Sequence, residues 1–130
     1  MVSVPQLVPV LWDVNSHRKL AVWHHAGDLI DLACQISRLL PAEELYVATA
    51  QLRRAAWSVQ NNIAEGNARF GRNEMRRFLR IAVGSLAEVD SMVAKLQDLY
   101  DLDTEIVDGV EMLRRKINAG LFKLIDGDGR

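Results

Sequence analysis

Residues 75 to 100 read MRRFLRIAVGSLAEVDSMVAKLQDLY, and this run decides the fold. Met75, Leu79, Ala82, Leu86, Val89, Val93, Leu96 and Tyr100 recur at alternating steps of four and three residues, the period at which side chains stack on one face of an α-helix. Taken as one helix from 73 to 100, the segment is about 40 Å long at roughly 1.5 Å per residue. A helix of that length with one apolar stripe is stable only when the stripe is buried against other helices.

Three more segments supply those partners. Upstream, Val22, Ala26, Leu29, Ala33, Ile36 and Leu40 form a first stripe, with Asn15 or Ser16 as candidate caps for its free first-turn amides. Pro41 interrupts it, and Glu43 and Glu44 behind the proline suit the positive end of a new helix. The second stripe is Leu45, Ala48, Leu52, Ala55, Val59 and Ile63, and Gly66 is its expected stop. The fourth is Ile106, Val110, Leu113, Ile117 and Leu121, capped by Asp103 or Thr104. All the prolines (Pro5, Pro9 and Pro41) lie in the first third, and no Asn-Gly turn joins alternating strands. Short connections favour antiparallel neighbours. The expected fold is therefore all-α: an up-down-up-down antiparallel four-helix bundle over residues 16–125. An irregular leader, 1–15, precedes it and a flexible tail, 126–130, follows.

Length and composition agree with one domain. The chain has 130 residues, of which 49% are hydrophobic and 25% charged, and 16 Lys+Arg against 17 Asp+Glu leave a net charge of −1. Such a balance excludes a uniformly basic nucleic-acid binder but not a local basic patch. The early apolar stretch from Val2 to Trp12 contains two of the prolines and has no basic residue before it. It is too short to span a bilayer and lacks the charged start of a secretory signal, so a cytosolic protein is expected.

Little in the sequence points to catalysis or cofactors. Cys34 is the only cysteine, which excludes a disulfide framework, and its place beside the first stripe reads as a small buried hydrophobe. His24 and His25 are adjacent, so on a helix they point about 100° apart and do not share a metal; His17 has no spacing partner either. Ser58 and Ser85 lack a glycine-flanked elbow. Gly66 and Gly71 bracket Asn67-Ala-Arg-Phe70 without the lysine of a phosphate-binding loop, and read as a helix-to-helix turn. No enzyme, metal or cofactor is expected.

Charge placement says more. Residues 51–80 hold seven arginines (Arg53, Arg54, Arg69, Arg72, Arg76, Arg77, Arg80) and two acids (Glu65, Glu74), a local +5, against −2 over residues 1–50 and −4 over 81–130. The excess straddles one turn and is expected at one end of the bundle. The planar, bidentate guanidinium suits phosphate, so these seven are candidate nucleic-acid contacts. The competing expectation is that they pair with acids of neighbouring helices or subunits, such as Asp98, Asp101, Asp103 and Glu105. Ser58, Asn62, Glu65, Ser85 and Glu88 read as a hydrogen-bonded polar seam between helices two and three, and Gly84 as a point of close backbone approach. Tyr46, Ala50 and Trp57 form a second apolar stripe on helix two. Either Trp57 flanks the core beside a neighbouring helix, or the stripe is a subunit interface, where aromatics are enriched.

Several runs carry a resemblance: Leu20-Ala-Val-Trp-His-His-Ala26, Gln51-Leu-Arg-Arg-Ala55, Asn62-Ile-Ala-Glu-Gly66, Phe78-Leu-Arg-Ile-Ala82 and Gly84-Ser-Leu-Ala-Glu88. With Ser58 and Arg69, they resemble the bacterial four-helix-bundle family first known from proteins encoded in intervening sequences of 23S ribosomal RNA genes, the S23 family. The resemblance covers about residues 18 to 124. It implies a cytosolic, non-enzymatic bundle that assembles as a homopentameric ring, which would occupy the second stripe on helix two. A related branch, the accessory variability determinant of diversity-generating retroelements, is similar in fold and binds nucleic acid and a reverse transcriptase through a basic surface; it is typically strongly basic, unlike this chain. Gln60 and Asn61 stand where the family usually carries a proline. The expected partners are thus copies of the chain itself and RNA or a nucleic-acid-handling protein, with no membrane. The alternative is a protein-interaction module without nucleic-acid contact.

Overall fold

The computed structural model describes residues 16–127; the leader expected over 1–15 lies outside them. Four helices carry the fold: α1 (Ala21–Leu39), α2 (Ala50–Asn67), α3 (Arg72–Tyr100) and α4 (Thr104–Asp126). No strand occurs among the described residues. Each helix packs chiefly on its neighbours in sequence, and α4 closes the square against α1, with α2 and α3 the most extensive pair. The fold is an antiparallel four-helix bundle. Side-chain bonds mark its two ends. At one, Asn67 Nδ2 donates to Ser16 Oγ and Arg72 reaches the Gly127 carbonyl; at the other, the Tyr100 hydroxyl donates to Glu44 in a short hydrogen bond.

The α3 stripe is buried from Met75 through Leu96, and Tyr100 is half-buried. Facing it are Val22, Ala26, Leu29, Ala33 and Ile36 of α1, Leu52, Ala55, Val59 and Ile63 of α2, and Val110, Leu113, Ile117 and Leu121 of α4. Each fully buried leucine, isoleucine or valine contributes about 1.5–3 kcal/mol relative to exposure. Ile30, Ala56, Leu102 and Ile125 join this core from positions beside the stripes.

Several boundaries depart from expectation. α1 does not start at an Asn15 or Ser16 cap. Ser16–Lys19 form a 3-10 turn, Leu20 stands at the N-cap without a side-chain bond, and the Ser16 hydroxyl serves Asn67 instead. Behind Pro41, a 3-10 turn (Ala42–Glu44) runs into a π-helical turn (Leu45–Thr49) before α2 proper. The wider π turn shifts the angular register, so Leu45, expected in the core, is 51% exposed, while Thr49 is buried. Gly66 is not a left-handed stop. α2 continues to Asn67, and a Cβ at Gly66 would lie 3.1 Å from the Met75 carbonyl oxygen and 3.2 Å from Phe78 Cβ, so this glycine lets α3 approach closely. Gly84 has the opposite surroundings: it is exposed, with nothing of its own chain within 4 Å of a Cβ, which removes the close approach expected there.

The other termini follow ordinary capping. Asp103 accepts from the Glu105 amide at 2.9 Å at the start of α4. Asp101 ends α3 in the left-handed region at φ 50°. Gly127 ends α4 at φ 61°, donating to the Lys123 carbonyl. Asp126 and Gly127, expected in a flexible tail, are the last helical residue and a buried cap.

Candidate nucleic-acid interface

The end of the bundle where α2 turns into α3 also receives the start of α1 and the last turn of α4. Five of the seven singled-out arginines lie here or within the first turns of α3. Arg53 and Arg54 do not: they sit in the first turn of α2, about 20 Å along the axis from Asn67 at 1.5 Å per residue, so the expected grouping of all seven at one end is corrected. Sequence proximity was misleading because α2 runs away from the turn.

The five at the turn play different parts. Arg76 Nε donates to the Ile125 carbonyl at 2.9 Å, and Arg72 Nη2 to the Gly127 carbonyl at 3.1 Å. Both cations stand in the first turns of α3, where a helix disfavours positive charge, but they meet the carbonyl end of α4, which favours it. They are half-buried and act as caps for α4. Arg72 Nη1 is buried without a hydrogen-bond partner among the described residues.

Arg69 and Arg77 converge on Phe78. Their guanidinium carbons lie 4.5 Å and 4.6 Å from its ring centroid. Each is also held by a carboxylate, Arg69 Nη2 to Glu65 at 2.5 Å and Arg77 Nε to Glu74 at 3.3 Å. Arg80, like Arg53 and Arg54, is exposed and has no hydrogen bond or ion pair among the described residues. Part of the arginine excess is therefore used inside the chain, as the pairing expectation held. The acids that take it are Glu65 and Glu74 and the α4 carbonyls, not Asp98, Asp101, Asp103 or Glu105.

Phe70 stands in the turn beside Arg69 and is 84% exposed. Neither Phe70 nor Phe78 was singled out from the sequence. The signal was present in the alternation Arg69-Phe70 and Arg77-Phe78, an aromatic interleaved with arginine at both ends of one short segment. Nearby, His17, Trp23 and His24 form an aromatic cluster with successive centroids 5.0 Å apart, and the His24 Nε2 is bonded to the Arg18 carbonyl oxygen at 2.7 Å. Among the described residues, no group of His, Cys, Asp and Glu side chains is arranged to hold a metal ion.

The polar seam contracts to three residues. Ser58 and Ser85 hydroxyls lie 2.7 Å apart across α2 and α3, and Asn62 Nδ2 donates to the Ser58 carbonyl at 2.8 Å and its hydroxyl at 3.0 Å. Glu65 faces outward to Arg69, and Glu88 is exposed; neither belongs to the seam. On the outer side of α2, Tyr46 is 88% and Trp57 47% exposed, while Ala50 is half-buried. Trp57 therefore does not flank the core beneath a neighbouring helix. α2 stays regular through Gln60 and Asn61, and Gln60 Nε2 donates to the Trp23 carbonyl at 3.1 Å.

A family model described as the 23S rRNA-intervening sequence protein matches residues 18–123. The chain belongs to that family. The match begins in the 3-10 turn before α1 and ends near the last turn of α4, so the family unit coincides with the whole bundle, both arginine-bearing helices included. No curated protein matches the chain. Among the described residues no helix is long and apolar enough to cross a membrane.

Proposed function

We propose that this chain is a non-enzymatic, cytoplasmic helical scaffold that assembles with copies of itself and binds RNA or a ribonucleoprotein through the arginine-bearing end of the bundle. The carrying observation is the segregation of charge along the axis. Arg69, Arg72, Arg76, Arg77 and Arg80 gather at the α2–α3 end, whereas Glu43, Glu44, Asp98, Asp101, Asp103 and Glu105 surround the opposite one. One end thus attracts a polyanion although the whole chain carries only −1. The family's description supports the reading, because it ties these proteins to intervening sequences in 23S rRNA. Self-assembly is supported by the uncovered Trp57, Tyr46 and Val47 on the outer side of α2 and its approach; five subunits in a ring is the expectation that the resemblance supplies.

The test is titration of a labelled structured RNA at two salt concentrations. Arg77 and Arg80 are the pair to reverse to Glu, since Arg72 and Arg76 hold α4 and their loss would disturb the fold. Binding at low salt that weakens with salt and in the reversed variant is expected; absence of binding at low salt refutes the reading.

A second reading, a protein-interaction module without nucleic-acid contact, is favoured by the neutralisation of Arg69 and Arg77 by Glu65 and Glu74. Capture of a partner that survives nuclease treatment would support it.

A further inference from the structure

The α2–α3 turn differs from a simple phosphate-binding patch in what its arginines expose. Arg69 and Arg77 are each fixed twice, by a carboxylate at the guanidinium nitrogens and by the Phe78 ring under the guanidinium carbon. The nitrogen edges, which bind phosphate bidentately, are partly taken. Arg72 and Arg76 point into α4. Four arginines set against Glu65 and Glu74 therefore leave only a small positive surplus in the turn. Flat surfaces are what remains: the guanidinium planes over Phe78 and the ring of Phe70, which is 84% exposed on the turn. Gly66 lets Phe78 sit directly against α2, with its Cβ 3.2 Å from the position of a Gly66 Cβ, so the platform is fixed to both helices.

Such a surface is matched to bases, not to a duplex. A double helix keeps its base faces stacked inside and presents phosphates, whose recognition needs free cations. An unpaired strand offers base faces, which stack on aromatic rings and guanidinium planes at little cost in charge. We propose, resting on the RNA reading above, that the α2–α3 turn binds unpaired nucleotides by stacking, with a base on Phe70 and the adjoining strand along Arg69 and Arg77.

The test uses the full chain, with fluorescence anisotropy of a labelled single-stranded RNA of about twelve nucleotides and of a hairpin duplex of the same length. The single strand is expected to bind more tightly, with a log–log salt slope no steeper than about −2. Phe70→Ala is expected to weaken single-strand binding by roughly tenfold and Phe70→Tyr to leave it nearly unchanged, both variants keeping the helical circular dichroism of the parent because the position is exposed. Equal or tighter duplex binding, or a Phe70→Ala variant that binds the single strand as well as the parent, overturns the stacking proposal while leaving RNA binding standing. No binding to either RNA removes both.

Discussion

The same substitution, glycine to alanine, should have opposite signs at Gly66 and Gly84, and the difference tests the packing directly. Gly84 lies mid-helix in α3, exposed, with no atom of its own chain within 4 Å of a Cβ. Alanine there relieves the glycine helix penalty of about 1 kcal/mol and has nothing to displace. A gain of about 1 kcal/mol corresponds to a rise in melting temperature of roughly 4 °C for a domain of this size. At Gly66 the propensity gain is smaller, because the position is one residue from the end of α2, and the new methyl would meet the Met75 carbonyl oxygen at 3.1 Å and Phe78 Cβ at 3.2 Å. Both belong to α3, one of them backbone, so relief requires the helices to separate; overpacking of this kind costs about 1–3 kcal/mol. The expected result is Gly66→Ala less stable than the parent by about 1 kcal/mol or more, within that range. Urea denaturation followed by circular dichroism, at protein concentrations low enough to remove assembly effects, measures both. A Gly66→Ala protein as stable as Gly84→Ala would refute the close α2–α3 approach. A destabilised Gly84→Ala at low concentration would refute the open surroundings assigned to Gly84.

Three further outcomes follow from the geometry. Arg76→Met removes a charge-assisted bond to the Ile125 carbonyl, so α4 should lose about 1–2 kcal/mol, with faster amide exchange confined to its last turn by hydrogen-exchange mass spectrometry. Trp57→Glu should leave the circular dichroism spectrum unchanged but reduce the mass seen by light scattering, since the side chain faces outward; an unchanged mass counts against the α2 interface. Glu111 is held at about 2, from its ordinary 4.5, by hydrogen bonds from Arg114 and Arg115. A depressed carboxylate contributes stability above the unfolded value and loses it as pH falls towards the folded one, so the advantage of the parent over Glu111→Gln should vanish between pH 4.5 and about 2 in a series of melts.

The fold was legible because helical periodicity needs only the local sequence. The α3 stripe, from Met75 to Leu96, is buried as its spacing implies, and Asp103 caps α4. What was missed depended on contacts far apart in the chain. Nothing near Arg72 or Arg76 announces that they will meet carbonyls 55 and 49 residues away. Ser16 carries the right chemistry for a helix cap, but Asn67 of α2 competes for its hydroxyl. The π turn at Leu45–Thr49 preserves the apolar spacing while rotating the face that carries it, so Leu45 looked like core and is not. The arginine group was half legible: five arginines flank the turn, but Arg53 and Arg54 shared a sequence window with them and not a location. Phe70 and Phe78 were passed over because an aromatic in a polar turn reads as incidental until the neighbouring guanidinium groups are seen upon it.

The axial charge separation also constrains how copies associate, which makes salt a diagnostic. In the proposed assembly, subunits pack side by side through the outer face of α2, and in a ring all arginine-bearing ends lie on one side. Each would then carry like-charged neighbours, and the acidic ends would repel likewise. Screening shortens the reach of these repulsions to about 8–10 Å near physiological ionic strength, so added salt should favour a parallel ring. Stacking head to tail would instead bring Arg77 and Arg80 against the acids at the α3–α4 turn, and added salt should dissociate it. Sedimentation velocity at several salt concentrations separates the two. The proposed ring predicts association that holds or tightens with salt while RNA binding weakens, because apolar burial holds the subunits and the concentrated positive ends hold the RNA. Association and RNA binding that fall together with salt would instead show that one charged surface serves both, and would refute the division of labour between α2 and the α2–α3 turn.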